Sequence, residues 1–536
     1  MENKTFCLMV DCSRNAVLNI SSLKRLINLL HKCSYNALML YTEETYEIEG
    51  EPYFGHLRGR YSKEEIKEIV AYADKFGIEV IPCIQVLAHL NQMFKWPAYQ
   101  VIHDFDDVLL VNEQKTYDLI EKMIKNISEC FKSKIIHLGM DEAAGLGLGN
   151  SFKRDGSIDR KKLFLDHLEK VLKICQKYQL SPLMWSDMIF KLTSQKEDWY
   201  SLDIDISQNE GNVLFKDVTP VYWDYYHADL DFYKGMMDKH LAINKNTWFA
   251  GGIWTWAGFA PINKLALTVS APAMKACREK EINNVIITAW GDDGGECSIF
   301  SALPAIFAAK KMYDGVDDLE QIKKEFKQVF GLEFDDFMML DIINDTTKPS
   351  KIPLKNPSKY LLYNDPLMGM LDTKVCKDDD QYFSVVTQKL IDASNRLGEF
   401  GYIAKHLSKL ASVLEIKNSL GVRLREAYQN KDEKTLKQLS QDMDKLLIRI
   451  DEFIDAFRES WYLERKTFGF DVQDIRLGGL KERVKEVKRR VDEFLSNKIK
   501  TIEELEQPVL PFDNNDLGDD PGCFNQYLVF ASPNRI

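Results

Sequence analysis

The stretch Lys134-Ile135-Ile136-His137-Leu138-Gly139-Met140-Asp141-Glu142 runs from apolar, β-branched residues into two adjacent carboxylates, and Ala143-Ala144-Gly145-Leu146-Gly147-Leu148-Gly149 follows it. A short run that is apolar on both faces reads as a strand of a parallel sheet, and such strands are joined by crossover helices. The pattern recurs outward in both directions. Eight strands are expected, over 5–11, 35–42, 78–86, 134–139, 182–187, 220–225, 248–256 and 284–290. Amphipathic helices are expected between them, among others over 62–76, 113–131, 161–178, 263–279 and 299–313. Eight β/α units in roughly 310 residues predict an α/β fold of the (β/α)8 TIM barrel type, whose active sites are built at the C-terminal ends of the strands.

The strand ends carry the unusual residues. Strand one ends in Asp11-Cys12-Ser13-Arg14, strand two in Tyr41-Thr42-Glu43-Glu44, and strand three runs out through Gln85 to His89. Strand four ends in Asp141-Glu142, and strands five to eight end in Trp185-Ser186-Asp187, Trp223-Asp224-Tyr225, Trp254-Thr255-Trp256 and Trp290-Gly291-Asp292-Asp293. A single buried tryptophan is ordinary core. Five of the nine tryptophans at four successive strand ends favour a pocket on which a sugar ring stacks.

The chain has 536 residues, with 70 Lys plus Arg against 82 Asp plus Glu, a formal charge of −12 that argues against nucleic acid as a partner. At 45% hydrophobic and 28% charged it has the composition of a folded globular protein with room for more than one domain. The apolar run from Phe6 to Val10 is closed by Asp11, too short for a secretory leader, and no run reaches the length of a membrane helix. The ten cysteines are scattered without a Cys-x-x-Cys pair, so reduced thiols in a cytoplasm are expected.

Beyond Tyr313 the β signal fades. The barrel is expected over 1–345, a connection over 346–380 that includes the Pro- and Lys-rich run 348–353, an α-helical domain over 381–510 and a tail over 511–536. Leu436, Leu439, Met443, Leu446, Leu447, Ile450, Phe453 and Ile454 mark the helical period. The stretch 468–480, with Gly469, Gly478 and Gly479, reads as a loop-like insert, either a connection between helices or a loop reaching the barrel mouth.

A bare Asp-Glu pair is most often a solvated turn, but here a buried strand delivers it to the barrel mouth. In this setting the sequence resembles the family 20 glycoside hydrolases, the β-N-acetylhexosaminidases, whose signature at strand four is His-x-Gly-Gly/Ala-Asp-Glu. His137 to Glu142 match it, with Met140 at the small-residue position. The resemblance implies an exo-acting, retaining enzyme that removes terminal β-linked GlcNAc or GalNAc and needs no cofactor. Glu142 is then the general acid and later the base. Adjacent carboxylates do not readily place an acid and a nucleophile on opposite sides of a bond, and in this family the substrate's own 2-acetamido oxygen is the nucleophile. Asp141 would orient that acetamide and stabilise the oxazolinium-like intermediate.

The same resemblance assigns Arg14 to the 3- and 4-hydroxyls, matches Glu43 and Glu44 to an acidic pair after strand two, and makes His89 the support of the catalytic pair. Trp185, Trp223 and Trp290 fall at the pocket walls, with Trp254 at strand seven. The tyrosine that holds the acetamido oxygen is expected at Tyr225, with Tyr222 second, because strand seven has Trp254-Thr255-Trp256 where the family has its tyrosine. Asp292, with Glu296 as alternative, would bind the 4- and 6-hydroxyls. The expected partner is a small glycoside or oligosaccharide, with no nucleic acid or membrane and with a homodimer as an option. The chain looks like the subgroup with a helical C-terminal domain and no α/β domain ahead of the barrel.

Two other readings compete. Nine histidines without His-x-His or His-Glu-x-x-His spacing give little support to a metal centre. The run 145–149 lacks the order of a dinucleotide loop and reads as a mobile substrate loop. From another class, the barrel could be a non-catalytic sugar-binding protein with a helical interaction domain; the presence of both Asp141 and Glu142 puts the enzyme ahead.

Overall fold

The structure is a computed structural model that describes residues 4–194, 199–204, 206, 215–347, 356–512 and 526–536. Eight parallel strands close into a barrel in chain order: β1 (Thr5–Asp11), β2 (Ala37–Tyr41), β3 (Glu79–Cys83), β4 (Ile135–His137), β5 (Ser181–Trp185), β6 (Thr219–Trp223), β7 (Trp248–Gly252) and β8 (Asn284–Ala289). Closure is made by β1 on β8, in register from Thr5 opposite Asn284 to Val10 opposite Ala289. All eight expected strands are present, and most are shorter than their apolar runs because the last residues of each run leave the ladder to form the mouth.

Alternate residues fill the interior: Cys7, Met9, Met39, Tyr41, Ile81, Cys83, Leu183, Trp185, Trp248 and Ile286 belong to one buried cluster, with Trp223 and Trp290 packed against it. The principal helices of this part are α1 (Ile20–Lys32), α2 (Lys63–Asp74), α3 (Gln114–Cys130), α4 (Arg160–Lys177), α5 (Leu230–Ile243), α6 (Asn263–Glu279) and α7 (Leu303–Tyr313). Their starts follow local chemistry. Ser62 and Glu65 form a capping box at α2, and the side chains of Asn19, Asp159 and Asp229 cap α1, α4 and α5.

The chain divides into two compact units, one of Met1–Ile253, Ala266–Trp290 and Ala305–Ile322, the other of Trp254–Leu265, Gly291–Pro304 and Lys323–Ile536. The second therefore begins earlier than expected and includes the segments that follow β7 and β8. Specific contacts hold those segments there: Phe259 meets Phe453 and Phe457 edge-on, and the Lys264 amide donates to Asp341. Its helices include α8 (Leu319–Phe330, shared at its start with the first unit), α9 (Pro357–Tyr363), α10 (Asp379–Arg396), α11 (Gly401–Lys417), α12 (Leu420–Gln429), α13 (Glu433–Glu464) and α14 (Phe470–Leu495). The connection at 348–353 lies outside the described residues, but α9, within the expected linker, is buried along its whole length.

The loop expected over 468–480 is corrected. Gly469 takes φ 91° as the N-cap, and from Phe470 the chain is α14, with Gly478 and Gly479 inside it. Buried Phe470, Gln473, Arg476, Leu477 and Leu480 recur at helical spacing and outweigh the two glycines. Among the described residues no helix is long and apolar enough to cross a membrane.

Candidate active site

At the mouth ends of β2, β3 and β4 the backbone turns through left-handed conformations that side chains rarely adopt. Glu43 has φ 45°, His89 58°, Met140 69° and Glu142 50°. Each costs about 1–3 kcal/mol and persists only where surrounding bonds fix it. Three of the four are held by their own amide: Met140 N–H donates to Gln85 Oε1 at 3.0 Å, His89 N–H to Asp107 Oδ2 at 2.9 Å, and Glu142 N–H to Asp187 Oδ2 at 3.0 Å. Gly139 also has positive φ, and a Cβ there would fall 2.2 Å from Gln85 Oε1. Met140, where the signature has a small residue, is fully buried.

Six side chains from four strand ends close a ring of polar contacts. Gln85 Nε2 donates to Asp141 Oδ1 at 2.6 Å and to the Tyr41 hydroxyl at 3.0 Å, and that hydroxyl donates to Glu43 Oε1 at 3.0 Å. Glu43 Oε1 pairs with Arg14 Nη2 at 3.3 Å, Arg14 Nη2 lies 3.5 Å from His89 Nδ1, and His89 Nε2 returns to Asp141 Oδ2 at 3.3 Å. Glu142 Oε2 stands outside the ring, 3.7 Å from the same His89 nitrogen.

The ring sets the charges. Burial disfavours the charged form of His89, but the Asp141 carboxylate against its Nε2 overrides this and raises it to about 10. Burial alone would raise Asp141; His89 and the Gln85 amide bring it below the usual carboxylate range. Glu142 goes the other way. Its side chain is 48% exposed, yet the protein packed about it desolvates the carboxyl, and this, with the charge of Asp141 next, raises it. Two neighbouring carboxylates are thus separated, one held as an anion and one holding its proton longer, which is the arrangement of a charge stabiliser beside an acid.

Other expected residues are placed less directly. Burial pushes Glu43 up to about 7 against the pull of Arg14. Glu44 is a loop anchor, taking Arg58 Nε at 2.8 Å while Arg58 also bonds Asn15 and the Ser13 carbonyl. His137 is buried, lowered to about 3 by desolvation, and accepts the Gly139 N–H at 3.1 Å. Trp185 belongs to the packed interior, 4.2 Å from the His137 ring. Trp223 and Trp290 are only partly buried; Trp290 meets Tyr41 edge-on at 4.8 Å, and Trp223 stacks on Tyr225 at 5.3 Å. The buried Tyr225 hydroxyl bonds the Trp290 and Thr288 side chains. Tyr222 donates to Asp224 at 2.9 Å.

Trp254, Asp292 and Glu296 fall in the second unit. Trp254 is buried and stacked on Trp256 at 4.6 Å, and Asp292 is exposed. Glu296, the alternative hydroxyl binder, is instead a buried structural group: Lys359 Nζ lies 2.6 Å from Oε2 and Arg476 Nη1 3.2 Å from Oε1. These two cations also pair with Asp293.

Three residues of the site had no role assigned from sequence. Gln85 and Asp187 lie in the quoted strand ends, but nothing in their spacing says that one bridges Asp141 to Tyr41 and the other takes an amide of strand four. Asp187 also bonds the Trp223 side chain, and burial with the nearby Asp141 raises it to about 8. Asp107 is 18 residues beyond His89 in a long loop and has no local signal. The run 145–149, expected to be mobile, is pinned: Asp104 accepts the amides of Gly147 and Ser151, and Arg160 donates to the carbonyls of Ala144 and Leu146.

Residues 7–250 match the model of the glycosyl hydrolase family 20 catalytic domain, and residues 335–523 match that of the Glycoside Hydrolase 20C C-terminal domain. Hexosaminidase D of Bos taurus is 29% identical over 252 residues, covering 44% of this chain and 66% of that protein. Hexosaminidase D of Homo sapiens is 28% identical over 221 residues, covering 40% of this chain and 43% of that protein. The chain thus spans just under two thirds of one curated relative and less than half of the other. Among solved structures, a β-N-acetylhexosaminidase from Bacteroides fragilis overlays with a TM-score of 0.48 at 18% identity, over 61% of this chain and 71% of that one.

Proposed function

Because the chain belongs to family 20 of the glycoside hydrolases, we propose that it is an exo-acting, retaining β-N-acetylhexosaminidase that removes terminal non-reducing β-linked GlcNAc or GalNAc with the help of the substrate's acetamido group. The observation that supports this best is the separation of Asp141 from Glu142 by the polar ring. A proton donor to a glycosidic oxygen has to hold its proton more tightly than an ordinary carboxyl, and the raised carboxyl of Glu142 suits that task. A residue that orients an amide N–H and stabilises an adjacent cation has to stay ionised, and Asp141 is lowered.

In this reading the substrate's acetamido oxygen attacks the anomeric carbon as Glu142 protonates the departing oxygen. The oxazolinium ion forms against the Asp141 carboxylate, and water activated by the same Glu142, now a base, opens it with net retention. Arg14, fixed by Glu43 and within 3.9 Å of Asp11, offers its half-buried guanidinium to the sugar hydroxyls. Trp223 and Trp290 wall the ring, and the Tyr225 hydroxyl, already located by its bonds, meets the acetamido oxygen. Glu296 is not proposed for the 4- and 6-hydroxyls, since Lys359 and Arg476 occupy it. A cytoplasmic setting is part of the proposal, in keeping with nine described cysteines that are free thiols.

The test is hydrolysis of 4-nitrophenyl β-GlcNAc, β-GalNAc and β-glucoside by the purified protein, with and without GlcNAc-thiazoline. Release from the acetamido sugars alone, blocked by the thiazoline, is expected. Equal release from the glucoside would remove acetamido participation. No release with the thiazoline still bound would leave a sugar-binding barrel. Glu142→Gln should retain less than about 1% of the activity on a poor leaving group, since general acid catalysis contributes about 10²–10⁴-fold.

A further inference from the structure

We propose that Phe105 and Leu148 form an apolar platform that receives the aglycone of the glycoside, and that the preferred aglycone is aromatic or a comparably flat apolar group. The inference rests on the proposed glycosidase reading and deepens it.

Single exposed apolar side chains are common and mean little. What sets these apart is place and rigidity. Phe105 is 49% exposed and Leu148 53% exposed. Phe105 belongs to the loop after β3, and Leu148 to the glycine-rich loop that begins directly after Glu142. A general acid lies within hydrogen-bond reach of the glycosidic oxygen, and the aglycone starts one bond beyond that atom. Gly145 is three residues from Glu142, so at most about 11 Å along the chain.

Gly145 and Gly149 leave room for Phe105. A Cβ on Gly145 would fall 2.8 Å from Phe105 Cδ1, and one on Gly149 would fall 2.8 Å from Phe105 Cβ and 2.1 Å from the Asp104 carbonyl oxygen. Leu148 lies between these two glycines, and its N–H donates to the Gly145 carbonyl at 3.1 Å. The neighbour of Phe105 locks the two loops together. Asp104 accepts the Gly147 N–H at 3.0 Å, the Ser151 N–H at 2.7 Å and the Ser151 hydroxyl at 2.8 Å. Phe105 itself closes a tight turn, its carbonyl accepting the Val108 N–H at 2.9 Å, and Asp107 of that turn holds the amide of His89. An aromatic ring that is fixed from below and open above binds without a further ordering cost. Its turn also carries Asp107, which holds the amide of His89, so the platform is anchored to the loop that supports the catalytic pair.

The experiment uses two uncleaved ligands, methyl and phenyl 1-thio-β-N-acetylglucosaminide, titrated calorimetrically into the intact protein. The phenyl compound is expected to bind about tenfold more tightly than the methyl one. Phe105→Ala should remove most of that ratio, Leu148→Ser about half of it, and both should leave the methyl affinity within about twofold. Leu148→Ser is a surface change, so it answers the question even where Phe105→Ala weakens the fold. Equal affinity of the wild-type protein for both compounds overturns the platform and leaves the sugar site standing, as does an equal loss of both affinities in the variants. Absence of binding by either compound overturns the glycosidase reading, and the platform with it.

Discussion

Glu142 combines a left-handed backbone, a half-exposed carboxyl and an amide tied to the buried Asp187, so its orientation is set by a neighbour that never touches the reacting atoms. Asp187→Ala removes that acceptor and should lower kcat on a poor leaving group by about 10²-fold through misplacement of the acid, with KM nearly unchanged. Asp187→Asn keeps an acceptor oxygen and should retain most of the rate. A loss shared equally by kcat and KM in both variants would show general damage to the pocket instead. The pH profile follows from the same contacts. The basic limb of kcat/KM reports ionisation of Glu142; His89 is one of the groups that lowers that carboxyl. Removing the cation in His89→Gln should therefore move the basic limb to higher pH while the rate falls, because Asp141 loses its partner. Asp141 and Glu142 were legible in the sequence because they follow a buried strand in a recognisable run, and Arg14 and His89 through the family resemblance of the runs that hold them. Gln85, Asp107 and Asp187 were not, since their roles are contacts to backbone amides of other loops, and amide partners carry no residue-type signature.

Among the elements, the strands were the most legible, since burial on both faces writes a continuous apolar run, whereas α14 was misread. Gly478-Gly479 is a strong break signal, yet both glycines are helical and a Cβ on either would meet nothing within 4 Å. Tertiary packing of the Phe470, Leu477 and Leu480 face pays for the weak local propensity. It follows that Gly479→Ala, at an exposed position, should stabilise the protein by about 1 kcal/mol, seen as a raised urea midpoint of the transition that reports the second unit. The same helix supplies Arg476 to the buried cluster of Asp293, Glu296 and Lys359. Lys359 is 1% exposed at its side chain and Glu296 2%, so Glu296→Gln strands a buried cation and should cost about 3–5 kcal/mol in that transition. Glu296→Gln with unchanged stability would mean that Asp293 alone compensates both cations.

Taken over the whole chain, the buried titrating groups give stability a definite slope with pH. Four buried histidines, His137, His167, His240 and His406, are lowered to about 3–4 and resist protonation, so they favour unfolding only as pH falls below about 6.5. Lys417, lowered to about 8, raises stability only above that pH, where the unfolded chain binds the proton more tightly. Between about pH 6.5 and 8 these terms are silent and four others act in one direction. His89, raised from 6.5 to about 10, carries a proton that the unfolded chain has released, so its contribution is complete below 6.5 and is lost as pH climbs toward 10. Asp187, raised from 3.8 to about 8, likewise keeps its proton only in the folded state, and its contribution is lost as pH rises to 8; Glu43 and Asp341, both raised to about 7, add to the first part of the fall. The folded chain binds the extra protons, so stability must decline with rising pH, by about 5 kcal/mol over this window at 1.4 kcal/mol per proton and pH unit. Thermal midpoints measured between pH 6.5 and 8 should drop accordingly. Asp187→Asn, which mimics the protonated carboxyl, and His89→Gln should each flatten about a third of the slope, and a wild-type midpoint that holds level or rises across the window would place both groups in the opposite charge state.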